Sequence, residues 1–286
     1  IFFFVVLLSD VKITTEAFSN IFNLNNFLDV NNLAPLLTVA GTIFAYFSIL
    51  IISFGDFSRY VKNEQELKKG NLSLILNLII FSFFSVFIVI GSDVFLNQKF
   101  SDMERIFTNP TDIVGKFDNI QITIVVLFFI IIASASTNLV ANFIPSQYSL
   151  INFAPSILSL KSASYLIAFF GLLIAIFWLT ILSQIGILSF VDTFGAFFGP
   201  LFGVMAADYY LIKNQELSNK DLYSIDKESA YYYSGGWHIK GVYSLILGFI
   251  FSASTIWNTN LMFLQSYAWI IGAFVAWITY YLLAKK

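Results

Sequence analysis

Cysteine is absent from the chain, which excludes disulfides, thiolate metal sites and cysteine nucleophiles. Histidine occurs once, as His238, so a histidine cluster cannot hold a metal. Charged residues are only 11% of the sequence, against roughly 25% in a soluble domain, so water is not the main solvent. A net charge of −2 gives no footprint for nucleic acid. No apolar run holds two carboxylates in its interior. An intramembrane enzyme needs paired acids, a histidine cluster or an activated nucleophile, so that class is disfavoured. What is present is apolar bulk: 286 residues, 58% hydrophobic, 34 of them Phe, with a mean hydropathy of +0.81. The chain reads as an all-α polytopic membrane protein.

Seven segments are long enough to span as helices, which takes about 20 apolar residues. They are 35–54, 71–92, 120–145, 162–182, 185–212, 238–256 and 261–283. Barrel strands would be about 9–11 residues with strict alternation, whereas these runs are longer and continuous. Polar connections at 55–70, 93–119 and 213–237 separate most of them, and only "TILSQIG" marks the boundary between the fourth and fifth. The opening "IFFFVVLL" is too short to span and lacks the basic front and small-residue cleavage site of a signal peptide. Residues 1–8 are therefore expected to end a span that starts upstream, and the sequence to be a fragment.

Orientation follows from Lys and Arg. One side collects Arg59, Lys62, Lys68, Lys69, Lys161, Lys213, Lys220, Lys227, Lys240, Lys285 and Lys286, the other Lys12, Lys99, Arg105 and Lys116. Eleven against four places the C-terminus and the "GDFSRYVKNEQELKKG" loop in the cytoplasm. The expected location is a bacterial inner (plasma) membrane.

Within the third span, Ser134, Thr137, Asn138, Ala141 and Pro145 fall at helical spacing on one narrow polar or small face, with Asn142 beside it. An amide in hydrocarbon needs partners for two donors and an acceptor. Polar glue between helices is the bland reading. Two Asn one turn apart beside Ser and Thr also suit a ligand. Hydroxyls with freed carbonyls make a hard oxygen site for an alkali cation, and the amides fit a neutral, planar, hydrogen-bonding solute.

The runs "STNLVANFIPSQYSLINFAPS", "GDFSRYVKN" and "GPLFGVMAADYYLIKNQELSNKDLY" resemble the nucleobase:cation symporter-1 family, in the same order and with similar spacing. Its members carry cytosine, uracil, allantoin, hydantoins, thiamine and similar solutes. The resemblance implies a LeuT-like inverted-repeat fold of twelve helices, of which this chain would hold the end of the fifth and helices six to twelve. In that frame 9–34 is an extracellular or periplasmic loop, 35–212 the second five-helix repeat, 213–237 a cytoplasmic loop and 238–286 two accessory helices.

The same resemblance implies site residues. Ala133 through its carbonyl, with the hydroxyls of Ser136 and Thr137, would bind sodium, protons being the alternative coupling ion. Asn142 would hydrogen-bond the solute ring and Asn138 would line the cavity. Phe47 falls where the family has a stacking aromatic, Trp in a hydantoin-carrying member. Tyr46 replaces a Gly that approaches the ligand. Val191 would contact or gate the solute. Asp192 stands where the hydantoin carrier has Asn, leaving a proton-coupling role open.

The function so implied is a secondary cation symporter working by alternating access. Its alternatives are an amino-acid or other small-solute carrier of the superfamily, or a non-functional fragment. Gly195, Gly199 and Gly203 read first as close helix packing. Asp208 reads as solvated or paired, Asp56 and Arg59 as a pair, and His238 beside Trp237 as part of an interfacial belt.

Overall fold

The structure, a computed structural model, describes residues 15–16, 19, 23, 29–99, 110–115, 119–178, 187–224 and 226–285. Residues 1–8, most of the 9–34 loop and the boundary at 180–186 lie outside the described residues. Among the described residues, seven helices are long and apolar enough to cross a membrane: Asn31–Ile52, Glu64–Asp93, Ile120–Phe153, Leu160–Phe177, Val191–Ile212, Ile239–Trp257 and Thr259–Ala284. Each overlaps one of the seven segments read from hydropathy.

In chain order the helices are α1 (Val30–Ile52), α2 (Phe54–Ser58), α3 (Glu64–Lys99), α4 (Pro110–Val114), α5 (Ile120–Asn138), α6 (Ile144–Phe153), α7 (Leu160–Phe177), α8 (Ile187–Ala207), α9 (Ile239–Trp257) and α10 (Ala268–Ala284). A π turn, Leu139–Phe143, joins α5 to α6. A second, Asp208–Ile212, extends α8, and a 3-10 segment, Thr259–Tyr267, leads into α10.

Caps explain where several helices begin. The Asp29 carboxylate accepts from the Asn31 amide at 2.9 Å, so α1 starts earlier than hydropathy alone suggests. In the segment read as a polar connection, Asn63 accepts from the Glu66 amide at 3.0 Å. The pairs Glu64–Lys68 at 2.7 Å and Glu66–Lys69 at 3.0 Å then line the first turns of α3. Asn119 caps α5, accepting from Gln121 and Ile122.

The third span does not stop at residue 145. Pro145 brings no N–H, so the α ladder cannot pass through it unaltered. The Ile144 amide bonds five residues back to the Leu139 carbonyl, widening the helix into a π turn. That insertion shifts the register of α6 relative to α5. Pro145 is buried whereas Ser134, Thr137 and Asn138 are exposed, so Pro145 leaves the face that uniform helical spacing assigned it.

The described chain forms two compact units. The first comprises Asp56–Ser164 with the residues before Leu33, and the second Leu33–Gly55 with Tyr165–Lys286. In the first unit α3 and α5 present mostly exposed apolar side chains. The second has the denser core, in which α8, α9 and α10 pack on one another. Glycines let them approach. A Cβ on Gly199 would meet the Trp269 carbonyl oxygen at 2.3 Å, one on Gly203 the Ala273 oxygen at 2.1 Å, and one on Gly248 the Gly272 oxygen at 2.8 Å. The reading of Gly195, Gly199 and Gly203 as close packing positions therefore holds.

Pro200 removes the donor that would serve the Ala196 carbonyl four residues back. Ser252 of α9 fills that gap, its buried hydroxyl donating to the Ala196 oxygen at 2.7 Å. An interhelical hydroxyl thus repairs a proline defect inside hydrocarbon, where a bare carbonyl is costly.

Candidate functional site

The polar turn of α5 is assembled from local bonds. Asn142 donates its amide to the Asn138 oxygen at 2.6 Å, and Asn138 donates to the Ser134 carbonyl at 3.1 Å. The two amides therefore form a ladder one turn apart, carried into the π turn. One N–H of each amide and the Asn142 side-chain oxygen have no partner among the described residues. All of 131–140, and Asn142, are exposed. A primary amide offering both a donor and an acceptor can pair with an N–H/C=O edge of a heterocycle.

Beside this ladder, Ser136 donates its hydroxyl to the Ala133 carbonyl at 2.9 Å. Two of the three oxygens expected to bind a cation are thus already adjacent, with Thr137 next along the helix. The donor set is neutral oxygen only, which suits a hard cation. Among the described residues no group of His, Cys, Asp or Glu could hold a metal ion.

The other expected residues lie in the second unit. Tyr46 is exposed and meets the half-buried Phe47 edge to face, with ring centroids 5.2 Å apart. Val191 packs against the cluster of Ala45, Trp269 and Ala273, of which Ala45 stands two residues before Phe47 on α1. Trp269 is ringed by Phe44 at 5.7 Å and Phe202 at 5.4 Å. Sequence reasoning singles out none of these three aromatics, because an aromatic in a Phe-rich helix carries no spacing signal of its own.

The two acids of the fifth span, Asp192 and Asp208, are both partnered. Asp192 is buried and accepts from the Gln265 side chain at 2.9 Å. Asp208 accepts a short bond, 2.5 Å, from the Tyr280 hydroxyl. That hydroxyl has one proton, so His238 Nε2, 3.2 Å away, must donate to the Tyr280 oxygen. His238 is half-buried and stacks on Tyr233 at 3.9 Å. The ring thus packs on the protein at the N-terminal end of α9. Burial holds its pKa below the ordinary histidine value, against the opposing pull of Asp208. Tyr233 takes a left-handed backbone, φ 50°, to place its ring there.

Tyr280 is 2% exposed, and a hydrogen bond to a charged group contributes about 2 kcal/mol. Tyr280→Phe is expected to lower thermal stability in detergent by about that amount. Asp208→Asn should cost less on top of it than alone, because the two share one bond.

Seven apolar helices among the described residues, with a ladder of amides on one of them, invite comparison with known carriers. The sequence pattern of the family described as "Permease for cytosine/purines, uracil, thiamine, allantoin" matches residues 2–281. The chain belongs to this permease family. It is 28% identical to the "Allantoin permease" of Bacillus subtilis (strain 168) over 85% of this chain and 48% of that protein. It is 25% identical to the "Purine-uracil permease NCS1" of Arabidopsis thaliana over 85% of this chain and 41% of that protein. With the "Hydantoin permease" of Microbacterium maritypicum it shares 29% identity over 49% of this chain and 28% of that protein. The chain spans about half the length, or less, of these permeases. No solved structure gives a significant match. Family membership, with seven candidate spans, makes this a multi-pass membrane protein of a transporter family rather than of an enzyme family.

Proposed function

We propose that the polypeptide carrying this chain is a secondary transporter that imports a nucleobase-like or cyclic-ureide heterocycle together with a cation. The observation that carries this reading is the exposed Asn138–Asn142 ladder one turn from the adjacent Ala133 and Ser136 oxygens. An amide pair reads the ring edge, and a neutral oxygen cluster beside it takes the ion. Ala133, Ser136 and Thr137 would be the sodium ligands, Asn142 the ring contact, Asn138 a cavity residue, Phe47 the stacking face and Val191 the gate. Tyr46, bulkier than the family's Gly, would shape the pocket. Cation and solute then raise each other's affinity by the same free energy. The Lys and Arg distribution supports a cytoplasmic C-terminus, and the membrane proposed is a bacterial inner membrane.

Proton coupling is the second reading, favoured by the buried Asp192 with its Gln265 partner. Both readings meet in one assay: uptake of radiolabelled allantoin, uracil, cytosine, hydantoin and leucine by cells expressing the complete polypeptide. Sodium coupling predicts at least a tenfold fall in heterocycle uptake, roughly one decade of coupling, when choline replaces Na+. Uptake that ignores Na+ but collapses with the proton gradient transfers the role to Asp192. Leucine uptake without heterocycle uptake overturns the substrate class.

A further inference from the structure

The motif "GDFSRYVKN" lies apart from the amide ladder and its oxygen cluster, yet it makes a contact far along the chain. Tyr60 and Tyr148, 88 residues apart, meet hydroxyl to hydroxyl at 2.5 Å. Arg59 lays its guanidinium over the Tyr148 ring, 4.1 Å from the centroid, and Asp56 fixes that guanidinium through a bond of 3.0 Å. The neighbouring Gln147 donates its side-chain amide to the Ser164 hydroxyl of α7. One turn of α6 is thus held through two adjacent side chains, Gln147 and Tyr148, the latter six residues beyond Asn142. Asp56–Tyr60 come after α1 in the chain, at the point where it passes from one compact unit to the other.

We infer that Tyr148, with Tyr60 and Arg59, is a latch that holds the α5–α6 helix on the Lys- and Arg-rich side and must release during each transport cycle. The inference rests on the proposed transport function. Its chemistry suits a contact that opens repeatedly. Arg59 and Tyr60 are exposed and Tyr148 is half-buried, and in that setting one hydroxyl bond and one cation–π contact shift an equilibrium by about tenfold rather than by many decades. The hydrogen bond to Tyr148 also pushes the Tyr60 phenol above its ordinary pKa, so Tyr60 keeps its proton throughout the neutral range. The latch pulls on the helix that carries the amide ladder, through a π turn that a small rotation can re-register.

This chain has no cysteine, so once any cysteine in the rest of the complete polypeptide is replaced, a single introduced thiol gives a clean test. In the complete polypeptide, a single Ser146→Cys reports access to α6 by its rate of reaction with a membrane-permeant maleimide. Tyr60→Phe and Tyr148→Phe, which keep both rings, and Arg59→Gln should each speed labelling, and the combination should do so by about tenfold. Labelling at the parent rate in all of them overturns the latch.

A second arm joins Tyr60→Cys to Tyr148→Cys with a short bifunctional methanethiosulfonate, since tyrosines meeting tip to tip hold their backbones too far apart for a disulfide. Joining should stop uptake, and dithiothreitol should restore it. Joined protein that transports at the parent rate also overturns the latch. If labelling shifts as expected while neither the parent nor any variant takes up solute, the contact holds α6 but its part in a transport cycle falls with the transport reading.

Discussion

Gly203→Leu is expected to prevent α8 from docking on α10, leaving the protein aggregated or degraded rather than merely slower. A Cβ at that position would sit 2.1 Å from the Ala273 carbonyl oxygen and 2.9 Å from its carbon. These are backbone atoms, so no rotamer change can make room. Overpacking a side-chain contact costs about 1–3 kcal/mol, and a backbone collision that separates two helices exceeds that range. Gly199→Val should behave alike, its Cβ falling 2.3 Å from the Trp269 oxygen.

Gly171→Ala in α7 is the control: nothing lies within 4 Å of the added carbon. There the substitution should be neutral or stabilise by about 0.5–1 kcal/mol, through helix propensity. Monodispersity on size-exclusion chromatography and the detergent melting temperature measure all three. A monodisperse Gly203→Leu with an unchanged melt would mean that α8 and α10 do not meet at these glycines.

That interface is half legible in the sequence. The four-residue glycine period in "FGAFFGPLFG" announces a close-packing face, because only small residues at that spacing clear a ridge along one side of a helix. What the face meets is a matter of tertiary placement, and no local pattern names Trp269 or Ala273. Pro200 likewise announces a missing donor, but not that Ser252, one of several serines in the apolar spans, repairs it.

Elsewhere local physics is present and outweighed by hydropathy. The pairs Glu64–Lys68 and Glu66–Lys69 sit at helical spacing, and an acid-before-base pattern is a helix signal. The segment nonetheless reads as a connection because its residues are polar. Pro145 foreshadows the π turn, yet a proline permits a kink, a break or a bulge, and the sequence does not choose among them. His238 reads as a belt residue because it begins a span beside Trp237, and its ring partners carry no local signal. The tight turn at Gly235 and Gly236, both at positive φ, brings Tyr233 back over the imidazole.

Asn142→Ala is the substitution expected to cost transport most while leaving the fold intact. The side chain is exposed, and its bonds within the protein are one amide donation to Asn138 and a backbone carbonyl that accepts from Ser146 at 2.6 Å. Only the first is lost on truncation. If Asn142 bonds the solute, removing its acceptor and second donor leaves polar atoms of the ring unpaired in a desolvated site. A penalty of about 1–3 kcal/mol per orphaned group corresponds to roughly 5- to 150-fold in affinity.

The loss should fall on KM for the heterocycle, with the sodium dependence kept. Ser136→Ala should do the reverse, raising the sodium concentration needed for half-maximal uptake while sparing solute affinity at saturating sodium. Asn142→Asp separates charge from shape: it keeps an acceptor, loses both donors and adds a charge, so its uptake should fall below that of Asn142→Ala at neutral pH. Uptake by Asn142→Ala at the parent rate, with the parent KM, would return the ladder to helix-to-helix glue and remove the substrate-binding role from α5.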